Sequence, residues 1–290
     1  MNPFLYVNWS FDAEIIDGQK TPNWYGLLFV SGMILGYFVI KKMFKKEAIS
    51  EKVLDQLVLF MVPATVIGAR LGHVLFYGPY WGPEGYFTDP VKILYIWEGG
   101  LASHGAAVVI LMALWYFSKY RVQKPFIWIL DKISAPIAIA GAFIRLGNLV
   151  NHEMVGYKTD VPWGFRFLRN DCSPNENGEY LCDWSTIPVR HPANLYEALA
   201  YFLSFAVLMF FYWKKEKWQQ PGFIFGTFLL LIFGFRFIIE FLKESQTDSD
   251  SSVFSNTGLN MGQWLSLPLI LTGIFLLVRS INKKNSLPTI

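Results

Sequence analysis

The 290-residue chain is 53% hydrophobic and 18% aromatic but only 16% charged, with a formal net charge of +3. Soluble domains carry about 25% charged residues, so the composition points to a membrane protein. The small net charge, with no basic tract carrying interleaved aromatics, excludes nucleic acid as a main partner. The N-terminus MNPFLYVNWSFDAE has neither a positive n-region nor a small-residue cleavage site, so no removable signal peptide is expected.

A bilayer core takes about 20 mostly apolar residues per spanning helix. The apolar runs predict spans at Asn23–Met43, Leu54–Phe76, Ile93–Phe117, Phe126–Val150, Pro192–Trp213, Gly222–Leu242 and Met261–Val278. The fold class is therefore an all-α polytopic membrane protein of about seven transmembrane helices, read as a single integral membrane domain over residues 1–290. Pro63, Gly99, Gly100 and Pro136 interrupt the second, third and fourth spans, which tertiary contacts can tolerate. Lys41, Lys42, Lys45, Lys46 and Lys52 lie between the first two spans. Lys119, Arg121 and Lys124 follow the third, Lys214, Lys215 and Lys217 the fifth, and Arg279, Lys283 and Lys284 the last. The opposite short segments hold only Lys20, Lys92 and Lys243. This bias predicts an outward N-terminus and a cytoplasmic C-terminus.

Residues 152–191, between the fourth and fifth spans, form a small outward-facing strand and loop insertion. Within it, TDVPWGFRFL and SPNENGEY read as short strands around a turn. Cys172 and Cys182 fall there and are either a disulfide or two free thiols, since sequence gives no geometry. Ser245–Gly258 reads as a polar outer loop. No internal repeat or low-complexity tract is present.

Ionisable residues inside the spans gather at one depth. Arg70 and His73 lie late in an outward-running helix, His104 early in an inward one, Arg145 late in the next, Glu197 early, and Arg236 and Glu240 late. All fall in the outer half. Asp131 and Lys132 lie toward the cytoplasm and read as interfacial anchors. Intramembrane charge is costly and usually functional, so five helices bringing it to one depth imply a shared polar cavity. Arg145, Asn148 and His152 recur at helical spacing and would share a face, as would Asn194, Glu197 and Tyr201, and Arg70, His73 and Tyr77. Arg236 and Glu240, four apart, are placed to pair. A snorkelling arginine at Arg145 and a purely structural ion pair are the plainer alternatives.

Three arginines suit a phosphate, which a guanidinium binds bidentately. The scattered histidines, with no cysteine near one, suggest no metal site, and WEGGL is too short to be a nucleotide loop. His104, beside Gly99 and Gly100, is either a packed core histidine or a proton-exchanging group. A transporter is the competing class, but transporters tend toward internal repeats and midplane sites, and this chain has neither.

The motifs WYG (Trp24–Gly26), GARLGHVLFY (Gly68–Tyr77), WEGGLASHG (Trp97–Gly105), RLGNLVNHEMVG (Arg145–Gly156), RHPANLYEA (Arg190–Ala198), FRFIIEF (Phe235–Phe241) and MGQWLSLP (Met261–Pro268) occur in this order. Through them the chain resembles the prolipoprotein diacylglyceryl transferase family over nearly its whole length. The resemblance implies transfer of a diacylglyceryl group from phosphatidylglycerol to the lipobox cysteine of an exported prolipoprotein, leaving glycerol phosphate. The implied partners are phosphatidylglycerol, the prolipoprotein signal peptide and membrane lipids. The implied place is the bacterial inner membrane, with the active site toward the periplasm.

It further implies catalytic roles for His104, Arg145, Arg236 and Tyr25, and substrate binding by Arg145, Asn148, Asn151, Glu153, Gly156, Glu197 and Glu240; the depth argument adds Arg70 and His73. No cofactor is implied, because the donor lipid carries its own leaving group. The chain departs from the family pattern at His152, where the motif has glycine, and at Ile232, where some members carry tyrosine.

Overall fold

The computed structural model describes residues 6–16, 19–82, 85–95, 100, 102–176, 178–244 and 257–285. An N-terminal stretch carries β1 (Val7–Trp9), β2 (Glu14–Ile16) and β3 (Gln19–Asn23). Helices α1 (Trp24–Lys46), α2 (Glu51–Phe76), α3 (Ser103–Phe117) and α4 (Phe126–Val150) follow. Then come β4 (Phe165–Phe167), the short α5 (Leu168–Asp171), α6 (Ala193–Trp213), α7 (Phe223–Ile239) and α8 (Met261–Asn285). Among the described residues, seven helices are long and apolar enough to cross a membrane. Their outward faces carry exposed Leu, Val, Met and Phe, such as Met112 and Leu271, as a lipid-facing surface requires.

The third span differs from its predicted range. Residues 90–94 form a 3-10 turn, and α3 begins only at Ser103, running on through a π turn at Ser118–Val122. The backbone at Gly100 has φ +69°, a left-handed conformation that ends any helix coming from Ile93. Trp97, Glu98, Gly99 and Leu101 lie outside the described residues, as does most of the predicted loop Ser245–Gly258. Pro63 and Pro136, by contrast, sit inside continuous helices.

The chain forms two compact units, Met1–Val39 with Asp131–Ile290, and Ile40–Leu130. In the second, α2 and α3 cross at small residues. A Cβ on Gly68 would lie 2.8 Å from the Gly105 carbonyl oxygen, and one on Gly72 2.6 Å from the Gly105 Cα. Close backbone approach of this kind replaces the hydrophobic effect as the force joining helices in lipid. The opposite end of the unit packs Met43, Phe44, Leu114, Phe117 and Ile129, all essentially inaccessible.

In the first unit the segment 152–191 is tied to the N-terminal stretch and to the end of α7. Strand β4 pairs with β1, parallel and in register Val7↔Phe165 through Trp9↔Phe167. Gly156 bridges Lys243, and Arg190 bridges Phe165. Four spanning helices separate β1 from β4 and two separate Gly156 from Lys243, so these pairings demand even numbers of crossings. The N-terminus, the insertion and the end of α7 therefore share one side. Among the described residues, the first of the two predicted strands forms, and its partner is the N-terminal stretch. The second stretch is a turn in which Asn175 accepts the Glu179 amide at 2.8 Å.

Cys172 and Cys182 are bonded to each other, with Cα atoms 6.1 Å apart. Asp131 and Lys132 are not headgroup anchors but are buried. Asp131 accepts the Gly222 and Phe225 amides at 2.8 Å each, capping α7, and the Lys132 ammonium lies over the Tyr212 and Trp218 rings at 5.0 and 5.6 Å. An acid at a helix N-terminus satisfies amides that lipid would leave unpaired.

Candidate active site

Helix α4 ends at Val150 in a Schellman cap. The Glu153 amide donates to the Asn148 carbonyl at 2.9 Å and the His152 amide to the Leu149 carbonyl at 3.1 Å, with His152 left-handed at φ +58°. Such caps usually join their ends by an apolar contact. Here the Asn148 side-chain amide donates to the Glu153 carboxylate at 3.1 Å, and that of Asn151 donates to its other oxygen at 3.1 Å. Asn194, at the start of α6, donates to the Glu153 carbonyl at 3.0 Å. The cap thus gathers Asn148, Asn151 and Glu153 into one polar knot at the mouth of the bundle. His152 leaves the face it was predicted to share with Arg145, because the helical period stops two residues before it.

One turn below, Arg145 Nε meets Glu197 Oε2 at 3.1 Å. Glu197 has no exposed surface, and its other oxygen lies 3.6 Å from the Lys243 ammonium. Lys243, 6% exposed, is also 3.7 Å from Glu240, and Glu240 is 3.9 Å from Arg236 Nε. The five side chains form one alternating chain, Arg145–Glu197–Lys243–Glu240–Arg236, drawn from α4, α6 and the end of α7. A lone buried charge costs several kcal/mol, whereas an alternating series neutralises its own interior. Its two ends are guanidinium groups, and the Nη1 contacts of Arg145, to Asn148 Oδ1 at 3.4 Å and Met154 Sδ at 3.7 Å, are long. An incoming anion can compete for such donors.

Three neighbours shape the chain. The Arg145 guanidinium lies 6.0 Å from the Tyr201 ring centre. The Tyr25 ring rests on α4 at Gly147, where a Cβ would come within 2.7 Å of it. Gly262, at the start of α8, lets the Glu240 carboxylate approach the helix N-terminus; a Cβ there would sit 2.7 Å from its carboxyl carbon. Asn260 supports the same element by donating to the Glu240 carbonyl at 3.3 Å.

The predicted site residues thus divide. Tyr25, Arg145, Asn148, Asn151, Glu153, Gly156, Glu197, Arg236 and Glu240 all belong to the first unit, and Arg70, His73 and His104 to the second. Arg70 spends its fork on backbone: it donates to the carbonyls of Ile93, Lys92 and Gly100 at 2.8, 2.5 and 3.2 Å. His73 stacks on Tyr77 and meets Tyr86 edge-on. His104 stands exposed in the first turn of α3.

Two residues escaped the sequence reading. Lys243 was counted only as a loop charge; its i,i+3 spacing from Glu240 was the available signal. Arg190, 6% exposed, grips Asp171 with two nitrogens at 2.6 and 2.8 Å and donates to Glu244 at 2.8 Å, anchoring the insertion beside Gly156. Its pairing with Asp171 raises its pKa further above the usual arginine value.

The helices and this buried ion chain define a multi-pass membrane protein with a polar site at one end of its bundle. The sequence profile of prolipoprotein diacylglyceryl transferases matches residues 15–279. A phosphatidylglycerol–prolipoprotein diacylglyceryl transferase of Porphyromonas gingivalis is 41% identical over 281 residues, covering 95% of each chain. Relatives of the same name from Tolumonas auensis and Chloroherpeton thalassium are 39% and 37% identical, covering 95% and 98% of this chain and 98% and 97% of their own. The chain belongs to the prolipoprotein diacylglyceryl transferase family.

Proposed function

We propose that this protein transfers the diacylglyceryl group of phosphatidylglycerol to the lipobox cysteine of exported prolipoproteins, the first step of lipoprotein maturation. The observation that carries the reading is the ion chain ending in two guanidiniums, in a chain of this family. The cysteine thiol loses its proton, since the thiolate is the nucleophile. Its sulfur attacks the glycerol carbon bonded to the phosphate ester. The C–S bond forms as the C–O bond breaks, giving a thioether, and glycerol phosphate leaves with the bonding pair.

Negative charge grows on the departing phosphate, and Arg145 and Arg236 are placed to stabilise it. Glu197, Lys243 and Glu240 hold these two arginines, while Asn148, Asn151 and Glu153 bind the polar part of the lipid or peptide. Tyr25, beside Gly147, borders the same face. His104 takes its catalytic role from its motif alone, as the thiol's base or as the group that positions the thiol. For Arg70 the contacts to the carbonyls of Lys92, Ile93 and Gly100 favour bracing that backbone over direct substrate contact.

The protein is placed in the inner membrane with the N-terminus, the insertion and the ion chain toward the periplasm, where exported peptide and outer-leaflet lipid are both accessible. The test of activity is purified protein with phosphatidylglycerol and a lipobox peptide, read by mass spectrometry. A peptide heavier by one diacylglyceryl group supports the reading, and unmodified peptide at full turnover time refutes it. Orientation is tested separately by cysteines at Ser50 and Ser185. An impermeant thiol reagent should label only Ser185→Cys in intact cells, and the reverse pattern overturns the placement.

A further inference from the structure

His152 occupies a cap position that glycine usually fills, because a side chain at φ +58° costs about 1 kcal/mol or more. The residue is 3% exposed, and its ring is engaged on both nitrogens. The Arg169 amide of α5 donates to Nδ1 at 3.3 Å, so Nδ1 must carry a lone pair. Nε2, 3.1 Å from the Phe11 carbonyl, must then carry the hydrogen. Phe167 of β4 meets the ring edge-on at 5.9 Å. The imidazole therefore ties three separate pieces, the N-terminal segment, the insertion and the cap, at the residue preceding Glu153.

We propose that His152 is a positioning residue for the Asn148–Glu153 pair, holding the cap in its site geometry only while the imidazole is neutral. A second ring proton would have to sit on Nδ1, facing the Arg169 amide hydrogen, and one of the two bonds would be lost. With one of the two bonds gone, less offsets the strain of a left-handed histidine, and the cap that presents Glu153 loosens with it. The charged groups facing the ring are Asp12 from the N-terminal segment and Arg169 from α5. They are paired with each other at 2.6 Å and so largely cancel at the ring. Burial is left as the main influence and lowers the His152 pKa, the Phe11 carbonyl opposing it. The folded pKa lies below the unfolded value of about 6.5, so the stabilising effect is whole above that pH and is lost as pH falls through the folded pKa.

The effect on transfer rests on the function proposed above; the structural effect does not. The experiment uses the full chain in phosphatidylglycerol-containing micelles, comparing wild type with His152→Gly and His152→Asn. Both replacements tolerate left-handed backbone, and neither titrates. Transfer to a lipobox peptide is followed from pH 8 to pH 5, with hydrogen exchange of residues 147–155 measured at both ends. Wild type should lose kcat/KM as the acid end is approached, by up to tenfold per pH unit below the folded pKa. The two variants should lack that part of the decline, and at pH 5 the wild-type cap alone should lose protection, measured against the intrinsic exchange rate at each pH. Superimposable profiles and equal exchange in all three proteins overturn the proposal. If no protein transfers lipid at any pH, the functional reading fails, and the exchange comparison still decides the role of His152.

Discussion

Lys243→Met removes the middle of the ion chain while keeping an unbranched side chain of similar length. At an effective dielectric of about 20, each contact, at 3.6 and 3.7 Å, carries about 4–5 kcal/mol of gross attraction. Desolvating the ammonium offsets several kcal/mol of this. The substitution also leaves Glu197, with no exposed surface, and Glu240 sharing one cation fewer. Removing one partner of a buried pair costs about 3–5 kcal/mol. If that cost falls on the alignment of Arg145 and Arg236, transfer slows by about two to four orders of magnitude. The assay is kcat/KM for peptide modification, with melting followed in the same detergent. Lys243→Arg, which keeps the charge, should retain most of the rate. A methionine variant that melts and transfers like wild type would show that the chain does not hold the arginines, and the reasoning would fail.

Arg145→Lys keeps charge but loses the planar fork. It should cost roughly two orders of magnitude in rate at saturating phosphatidylglycerol, with little change in melting; a near-native rate returns Arg145 to a snorkelling role. Gly262→Ala should drive the Glu240 carboxylate from its seat and lower the rate about tenfold, at a stability cost of about 1–3 kcal/mol typical of overpacking. Cys172→Ser opens a short loop and should destabilise the insertion by about 2–3 kcal/mol by the loop-entropy argument. Its measure is faster proteolysis within residues 168–186 at unchanged kcat, and equal proteolysis of both proteins counts against the disulfide as a brace.

The spans could be read from the sequence because lipid imposes a length and a composition that few other environments demand. The pairing of Arg236 with Glu240 and the inward face of Asn194, Glu197 and Tyr201 followed from helical spacing alone. Lys243 did not. Its partner Glu197 comes from another helix, and a lysine past a span end looks the same whether it faces water or a buried acid. The β1–β4 pairing was equally hidden, since a parallel ladder across four helices leaves no local pattern. His152 misled for a different reason. Without a glycine to mark the cap, the helical period ran on through a residue that had already turned away. The start of α3 was missed because Ile93 and Leu94 are apolar enough to extend a hydrophobic window that the backbone at Gly100 interrupts.

The ion chain also sets an order of assembly. Arg145 enters the bilayer with α4, Glu197 with α6, and Lys243 is made about a hundred residues after Arg145. At about 5–20 residues per second, the arginine waits roughly 5–20 s for its circuit to close. For about half of that interval Arg145 is alone; Glu197 then pairs with it, and Glu240 and Lys243 arrive together at the end, three residues apart. Charges at such depth are tolerated at first by snorkelling and local thinning of the bilayer. The ion chain can therefore close only after the end of α7 is made, with α8 still to bring Gly262 against Glu240, and a nascent chain halted before Lys243 would hold an incomplete ion chain.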